Sequence, residues 1–149
     1  MHWIWIVLIA VVGAVVLVSV LTVVLQALGR SRAAEADALL VGEEIVLREP
    51  AANLFGLRSR GMGQVRGNGV LTLTDRRLHF LMWLPKREVS IELLSIRGVE
   101  TPTSFLGKSK FTPLLQVDYT TERGEQDAAA WLVRDLEAWT AELRGQMER

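Results

Sequence analysis

An uncharged apolar segment near the N-terminus limits what this chain can fold into more than any other feature. The 26 residues from Trp3 to Leu28 contain no acidic or basic side chain, and 22 of them are apolar. A hydrocarbon core about 30 Å thick is crossed by roughly 20 helical residues, and a helix of this length reaches about 39 Å. The segment therefore predicts one transmembrane helix, with residues 1–29 as the anchor.

The residues that flank the apolar segment predict its orientation. Trp3 and Trp5 stand at its start, where indole rings favour the headgroup region, and Arg30 and Arg32 follow its end. No Lys or Arg precedes it, so the positive-inside rule predicts a single-pass protein of the cell membrane with its N-terminus outside and the rest in the cytoplasm. The alternatives are a cleaved signal peptide, which has a basic start and an apolar core of about 7 to 15 residues, and a buried helix of a soluble protein, which carries charges on one face.

The remainder of the chain has the composition of one small globular domain. All 34 acidic and basic residues, 17 of each sign, lie in the 120 residues from Arg30 onward, and there is no cysteine. This excludes a disulfide scaffold, a cysteine zinc site and a large multidomain enzyme. Residues 30–39 are interpreted as a linker or a helical continuation of the anchor, and residues 40–149 as the domain.

Alternating apolar and polar residues predict that this domain is mainly β. The pattern has a period of two at residues 70–74, 78–83, 89–93 and 115–119, which is typical of strands. Residues 74–77, 84–87 and 122–125 have the composition of tight turns, and the last of these supplies Gly124 for a positive φ. Connections this short predict neighbouring antiparallel strands.

The period changes only at the C-terminal end, where one helix is predicted. Asp135 is a candidate N-cap, and Leu136, Trp139, Leu143 and Met147 then recur at spacings of three and four. About seven strands followed by one apolar-faced helix is the order of the pleckstrin-homology-like barrel, in which the helix closes the open mouth. We therefore expect a mainly β fold with one transmembrane α-helix and a barrel of about seven antiparallel strands capped by a C-terminal α-helix.

Residues 69–80 carry a family resemblance. The run Gly-Val-Leu-Thr-Leu-Thr-Asp-Arg-Arg-Leu-His-Phe resembles the G-x-L-x-L-T-[ND]-x-R-L-x-F hairpin of GRAM and bacterial pleckstrin-homology-like domains. The resemblance covers about residues 39–146 and implies that Leu71, Leu73, Leu78 and Phe80 face the barrel core. It also implies a module that binds lipids or proteins. Residues 55–69 lack the dense Lys-x(n)-Arg-x-Arg pattern of the members that bind phosphoinositides.

The sequence offers little for catalysis. His79 is the one histidine beyond the anchor and is expected on the outer face of the sheet, where no second histidine shares a metal. Glu43 and Glu44 are adjacent at the start of a strand, so their carboxylates should point apart. The glycine-rich residues 61–69 lack the Lys-[Ser/Thr] pair of a phosphate loop. We expect no enzyme, no catalytic residue, no cofactor and no metal site.

Charge is distributed unevenly along the domain. Residues 58–110 hold ten basic and four acidic side chains, whereas residues 111–149 hold four basic and eight acidic ones. A basic surface near an anionic leaflet gains about 1 kcal/mol per basic residue, and an anchor supplies the proximity. Loops 55–69 and 103–110 are the expected contacts, through an exposed Met62 and an apolar pair, Phe105 and Leu106. The candidate binding residues are Arg58, Arg60, Arg66, Lys86, Arg87, Lys108 and Lys110.

These features predict a membrane-anchored, noncatalytic binding module. Its cytoplasmic domain is expected to contact anionic lipid headgroups or a membrane-associated protein. The alternative is a protein-interaction or assembly module that recruits a peptide or another membrane subunit, for instance through an exposed sheet edge. Nucleic-acid binding is not expected, because net charge is zero and the aromatic residues are needed in the core. Fourteen arginines against three lysines suggest a bacterial source.

Overall fold

The computed structural model describes all 149 residues and begins with one unbroken helix, α1, from His2–Leu39. By length and composition α1 is able to cross a membrane, and none of its most apolar window is buried inside the protein. The residues around Arg32 and Asp37 form the last turns of this helix. Of the two interpretations of residues 30–39, the helical continuation is therefore the one that the structure has.

A seven-stranded antiparallel sheet follows α1, which confirms the expected mainly β domain. Its spatial order is β4-β3-β2-β1-β9-β8-β5, so the long first strand joins the two halves of the sheet. A separate two-stranded hairpin, β6-β7, was not predicted. The strands are β1 (Ile45–Leu57), β2 (Gly67–Thr74), β3 (Arg77–Met82), β4 (Arg87–Glu92), β5 (Ile96–Glu100), β6 (Ser104–Phe105), β7 (Lys108–Ser109), β8 (Leu115–Thr120) and β9 (Gln126–Leu132).

The inner face of the sheet carries the main apolar core. Leu71 and Leu73 of β2 and Leu78 and Phe80 of β3 are buried together there, as the resemblance implied. The ring of Phe80 lies 6.0 Å from that of Trp131 on β9. Each large apolar side chain that leaves water stabilises the fold by about 1.5–3 kcal/mol. This core is the principal source of stability for the domain.

The C-terminal helix α2 (Leu136–Met147) covers this core. Its predicted N-cap is confirmed, because the Asp135 carboxylate accepts a hydrogen bond of 3.0 Å from the Ala138 backbone N–H. Trp139 and Leu143 are buried in the core, whereas Met147 at the end of the apolar stripe is exposed. The helix thus buries the middle of its stripe against the sheet.

The last turns of α1 cover the opposite, outer face of β2 and β3. Ala36 packs with Val70 and Leu81 in a small buried cluster, and Ala33 lies against it. His79 is on this outer face, as expected, but it is only 1 % exposed and its Nε2 lies 3.0 Å from a Glu88 carboxylate oxygen. The sequence pattern did not reveal this burial, because it depends on the last turns of α1, which lie over this face of the sheet.

Candidate functional site

Ion pairs fix the last turns of α1 to the sheet. The Glu35 carboxylate accepts hydrogen bonds from Lys86, in the turn between β3 and β4, and from Arg32 at 2.5 Å. Those hydrogen bonds, first from Lys86 and then from Arg32, lower the pKa of Glu35. Asp37 pairs with Arg48 on β1. Together with the alanine contacts, these pairs hold the last turns of α1 against the sheet.

The turn between β3 and β4, residues 83–86, lies beside the point where the apolar segment of α1 ends. A β-carbon at Gly29 would lie 3.6 Å from the ring of Trp83, so the ring lies beside the helix backbone at this point. Gly29 directly follows Leu28, the last residue of the uncharged segment. The side chain of Leu84 is 76 % exposed at the tip of this turn.

The loop between β1 and β2 lies next to this turn. The Trp83 backbone N–H donates a hydrogen bond of 2.8 Å to the Asn68 carbonyl. Gly67 packs closely on Met82, since a β-carbon at this position would lie 2.6 Å from the sulfur. Because of these contacts, the start of β2 and the tip of the β3-β4 hairpin belong to the same end of the domain.

A glutamine holds the loop in place. The Gln64 side-chain amide donates hydrogen bonds of 2.6 Å to the Leu57 and Gly61 carbonyls and accepts one of 3.0 Å from the Leu57 N–H. With its backbone fixed in this way, the loop presents two apolar side chains to solvent. Met62 is exposed, as predicted, and so is Val65.

The β6-β7 hairpin completes this end of the domain. The Lys108 ammonium donates a hydrogen bond of 2.6 Å to the Gln64 carbonyl. Gly107 lies against the sulfur of Met62, which would be 3.3 Å from a β-carbon at that position. Residues 61–66, 83–86 and 106–111, which these contacts link at one end of the domain, are called here the helix-proximal surface.

Four of the seven predicted binding residues lie on the helix-proximal surface, and they differ in whether other groups of the protein already bind their charged ends. The Arg66 guanidinium stacks 4.9 Å from the centre of the Phe55 ring, which leaves its charge at the surface. Lys86 is engaged by Glu35, and Lys108 is bound to a backbone carbonyl. Lys110 is exposed. Stacked Arg66 and exposed Lys110 are thus the cations best placed to meet an external anion.

The other three residues lie outside this surface. Arg87, the first residue of β4, adjoins it and is half-buried. Arg58 and Arg60 form a 3-10 turn after β1, where the Arg58 guanidinium lies 3.4 Å from the Asp118 carboxylate on β8. Arg58 and Arg66 therefore have different partners, on β8 and on β1, although both lie in the connection between β1 and β2.

A buried carboxylate that the sequence analysis did not single out holds this 3-10 turn. Asp127 on β9 accepts hydrogen bonds from the Ser59 N–H at 2.8 Å, the Ser59 hydroxyl at 2.6 Å and the Tyr119 hydroxyl at 3.0 Å. Burial alone would raise the pKa of Asp127, but the hydrogen bonds from Ser59, Ala128 and Tyr119 outweigh it and lower that pKa. Burial, and next the Asp127 charge, raise the pKa of Tyr119. An acidic residue inside the apolar β9 was the signal that could have revealed this anchor.

The predicted apolar contact at Phe105 and Leu106 is wrong. Phe105 is buried in a second cluster with Phe55 and Leu114, and Leu106 packs partly against it. The aromatic side chain that projects from this region is Phe111, which is 95 % exposed. Its backbone has a φ of 57° and its N–H donates 2.9 Å to the Ser109 hydroxyl. Nothing in the alternation of residues indicated which phenylalanine would point outward.

An open cleft of about 640 Å³ lies at the opposite end of β3 and β4. Its walls carry Arg77, Glu92, Arg97 and Glu122, so charges of both signs alternate around it. Leu94 on its rim is 93 % exposed. At about 3.3 Å per residue, the length of β3 places the cleft roughly 17 Å from the turn at 83–86. The side chains hold no group of three or more His, Cys, Asp or Glu placed to bind a metal ion.

No family model and no curated protein matches this sequence. Among solved structures, the fold is similar to the C-terminal domain of an unknown protein from Leishmania infantum, with a TM-score of 0.57 and 17 % identity over 77 % of this chain and 94 % of that one. It is also similar to a chain of the 8S snRNP assembly intermediate, with a TM-score of 0.55 and 10 % identity over 70 % of this chain and 82 % of that one. At these identities the likeness concerns the fold alone.

Proposed function

We propose that this chain is a membrane-anchored, noncatalytic binding module whose helix-proximal surface contacts anionic lipid headgroups. The observation that carries the proposal is the contact of the last turns of α1 with the outer face of β2 and β3. A helix that crosses the bilayer and continues into this contact leaves the domain no freedom to turn away. The surface that surrounds the end of the apolar segment then faces the membrane permanently.

The charge of this surface suits an anionic leaflet. Arg30 and Arg32 follow the apolar segment, and Arg66 and Lys110 are presented by the adjoining loops. Each cation close to such a leaflet contributes about 1 kcal/mol, an effect that falls off within a Debye length of about 8–10 Å. Arg58 and Arg60, which lie against β8 and β9, are secondary contributors in this arrangement.

The fold supports the inferred relationship to pleckstrin-homology-like and GRAM domains. In the proposed barrel, β1 pairs with both β2 and β9 and so joins two half-sheets, while α2 closes the interior with Trp139. The hairpin at residues 69–80, on which the resemblance depends, forms β2, a tight turn and β3. We infer a binding role rather than catalysis, since His79 is buried against Glu88 and Asp127 is used to anchor a turn.

Orientation and location form part of the same proposal. Arg30 and Arg32 after the apolar segment favour a cytoplasmic domain in the cell membrane, with the N-terminus outside. Protease added to intact cells should leave the domain uncut and should digest it after the membrane is permeabilised. Digestion of the domain in intact cells would contradict this topology.

The lipid contact is tested with residues 30–149, which keep the turns of α1 that pack on the sheet. We expect this fragment to float with vesicles of phosphatidylcholine and phosphatidylglycerol at low salt, and much less with phosphatidylcholine alone. Arg66→Glu should reduce recovery, whereas Arg123→Glu, in the exposed turn between β8 and β9, is the matched charge control. Equal recovery with both kinds of vesicle would contradict the headgroup contact.

A protein-interaction module is the second candidate. Strand β4 is at one edge of the sheet, and the exposed Leu94 adjoins the cleft beside it. A partner held there would be captured equally well by the Arg58→Glu and Arg60→Glu variants. Loss of capture with Leu94→Asp but not with Arg66→Glu would favour this candidate over lipid contact.

A further inference from the structure

We propose that the turn between β3 and β4 inserts Leu84 into the interfacial layer of the bilayer, whatever the charge of the lipid. This inference rests on the proposed function, because it requires α1 to span the membrane. It adds a different kind of contact at the same surface. Headgroup attraction depends on anionic lipid and on salt, whereas burial of an apolar side chain depends on neither.

The chemistry of the turn is the first support. A four-residue turn between antiparallel strands ordinarily carries polar residues that suit solvent. Here Leu84 and Pro85 occupy the tip, and the side chain of Leu84 is 76 % exposed. Leu84 contributes to none of the apolar clusters of the domain, so its exposure gains nothing for the fold.

The level of the turn along α1 is the second support. The ring of Trp83 lies beside Gly29, one residue beyond the uncharged segment. A segment of 26 residues exceeds a hydrocarbon core of about 30 Å by roughly 9 Å, which places each of its ends about 4–5 Å into the headgroup layer when it is centred. Interfacial elements bury their apolar side chains about 5–10 Å into the boundary between headgroups and acyl chains. Leu84 is therefore at the depth where such side chains lie.

The neighbours of the turn are the third support. Met62 and Val65 are exposed on the loop that leads into β2, so Leu84 is one of a group of apolar side chains that project from this end of the domain. Arg66 borders this group, while Lys86 is drawn towards α1 by Glu35. The pairing of Lys86 with the helix leaves Leu84 as the residue that projects from the turn.

The absence of cysteine from the chain makes a direct test possible. The full chain carrying Leu84→Cys, labelled with a nitroxide, is reconstituted into phosphatidylcholine vesicles with and without phosphatidylglycerol. Leu94→Cys is the matched control, because Leu94 is also an exposed leucine but lies by the cleft at the opposite end of β4. Collision of each label with oxygen, which concentrates in lipid, is compared with collision with a water-soluble nickel complex.

We expect the ratio of oxygen to nickel collisions at position 84 to exceed that at position 94 severalfold in both kinds of vesicle. Equal ratios at the two positions would overturn the inference. A raised ratio at position 84 in anionic vesicles alone would also overturn it, since the contact would then follow headgroup charge.

A label at Val20→Cys, inside the apolar segment, distinguishes a failure of Leu84 insertion from a failure of the proposed function. A shielded label at position 20 with a water-exposed label at position 84 would refute insertion and leave the anchored module standing. Nickel access at both positions would refute the membrane span and, with it, both proposals.

Discussion

The two helices of this protein cover opposite faces of one sheet by different means. Helix α2 lies on the inner face and buries Trp139 and Leu143 in the main core. Helix α1 lies on the outer face and makes contact through Ala33 and Ala36, with ion pairs from its last turns at the edges. The contact of α2 is a large apolar interface. The contact of α1 is a close approach of two backbones with ion pairs on either side.

This difference indicates that the two helices serve different purposes. Burial of large apolar side chains dominates folding energetics, so α2 belongs to the stability of the domain. Small residues and partly exposed ion pairs add little stability, but they fix the direction in which a helix leaves the sheet. We therefore regard α2 as part of the core and, under the proposed function, α1 as the element that sets the orientation of the domain relative to the membrane.

The largest expected effect is at the core of α2. Trp139→Ala should lower the free energy of unfolding by about 3–5 kcal/mol, because it removes a buried aromatic side chain and leaves a cavity. Chemical denaturation monitored by circular dichroism measures the change. Met147→Ala, on the same helix but exposed, is the control and should stay within about 0.5 kcal/mol of the parent. Equal effects of the two changes would contradict the assignment of α2 to the core.

The next largest loss of stability is expected at Glu43, in the connection between α1 and β1. The buried Glu43 carboxylate accepts hydrogen bonds from Thr74 at 2.7 Å and from Arg77. Glu43→Gln should cost about 2 kcal/mol, since a charge-assisted hydrogen bond is lost at a buried site.

The Glu43 carboxylate should also make the stability of the protein depend on pH. Burial would raise the pKa of Glu43, but the hydrogen bonds from Arg77 and Thr74 lower it overall. A carboxyl group whose pKa is lower in the folded than in the unfolded state stabilises the folded protein. This stabilisation is fully present above the unfolded pKa of about 4.3 and is lost as the pH falls through the folded pKa. Denaturation midpoints between neutral pH and pH ~3 should therefore fall more in the parent than in Glu43→Gln. Parallel pH profiles would contradict the role given to this side chain.

A comparable change in stability and a larger change in geometry are expected at Ala36. Ala36→Leu adds volume between α1 and the pair formed by Val70 and Leu81, which should cost about 1–3 kcal/mol. The helix should move off the sheet while the domain stays folded. Ala34→Leu is the matched control, because Ala34 is exposed on the same turns. A label at position 84 should lose its bilayer depth in Ala36→Leu and keep it in Ala34→Leu.

The smallest effect is at the N-terminus of α2. Asp135→Ala removes the cap on the Ala138 N–H and should cost about 1 kcal/mol. Because α2 does not orient the domain, the depth of position 84 should not change. A shift in that depth would contradict the division of roles between the helices.

The sequence predicted α2 and missed the docking of α1 for a physical reason. A helix that buries large side chains on one face shows a period of three to four, and Leu136, Trp139 and Leu143 made it visible. Contact through Ala33 and Ala36 leaves no such stripe. Most strands and turns could be predicted from the alternation of apolar and polar residues and from turn composition, because those patterns are also local.

The parts of the candidate site that escaped prediction depend on contacts between residues distant in the chain. Lys86 reaches Glu35 across 51 positions, and Ser59 reaches Asp127 across 68. No local pattern reveals that Phe105 is buried while Phe111 projects. The basic loops were recognisable from their composition, but which of their cations remain free was decided by these long-range partners.

The proposed function requires α1 and the sheet to move as one body in the membrane. The most direct test is a double electron–electron resonance measurement on the full chain in bilayers, with nitroxides at Arg30→Cys on α1 and Leu94→Cys on the domain, both exposed positions. We predict a single narrow distance distribution that broadens when Ala36→Leu is added. A broad distribution in the parent, as a flexible connection would give, would contradict the account.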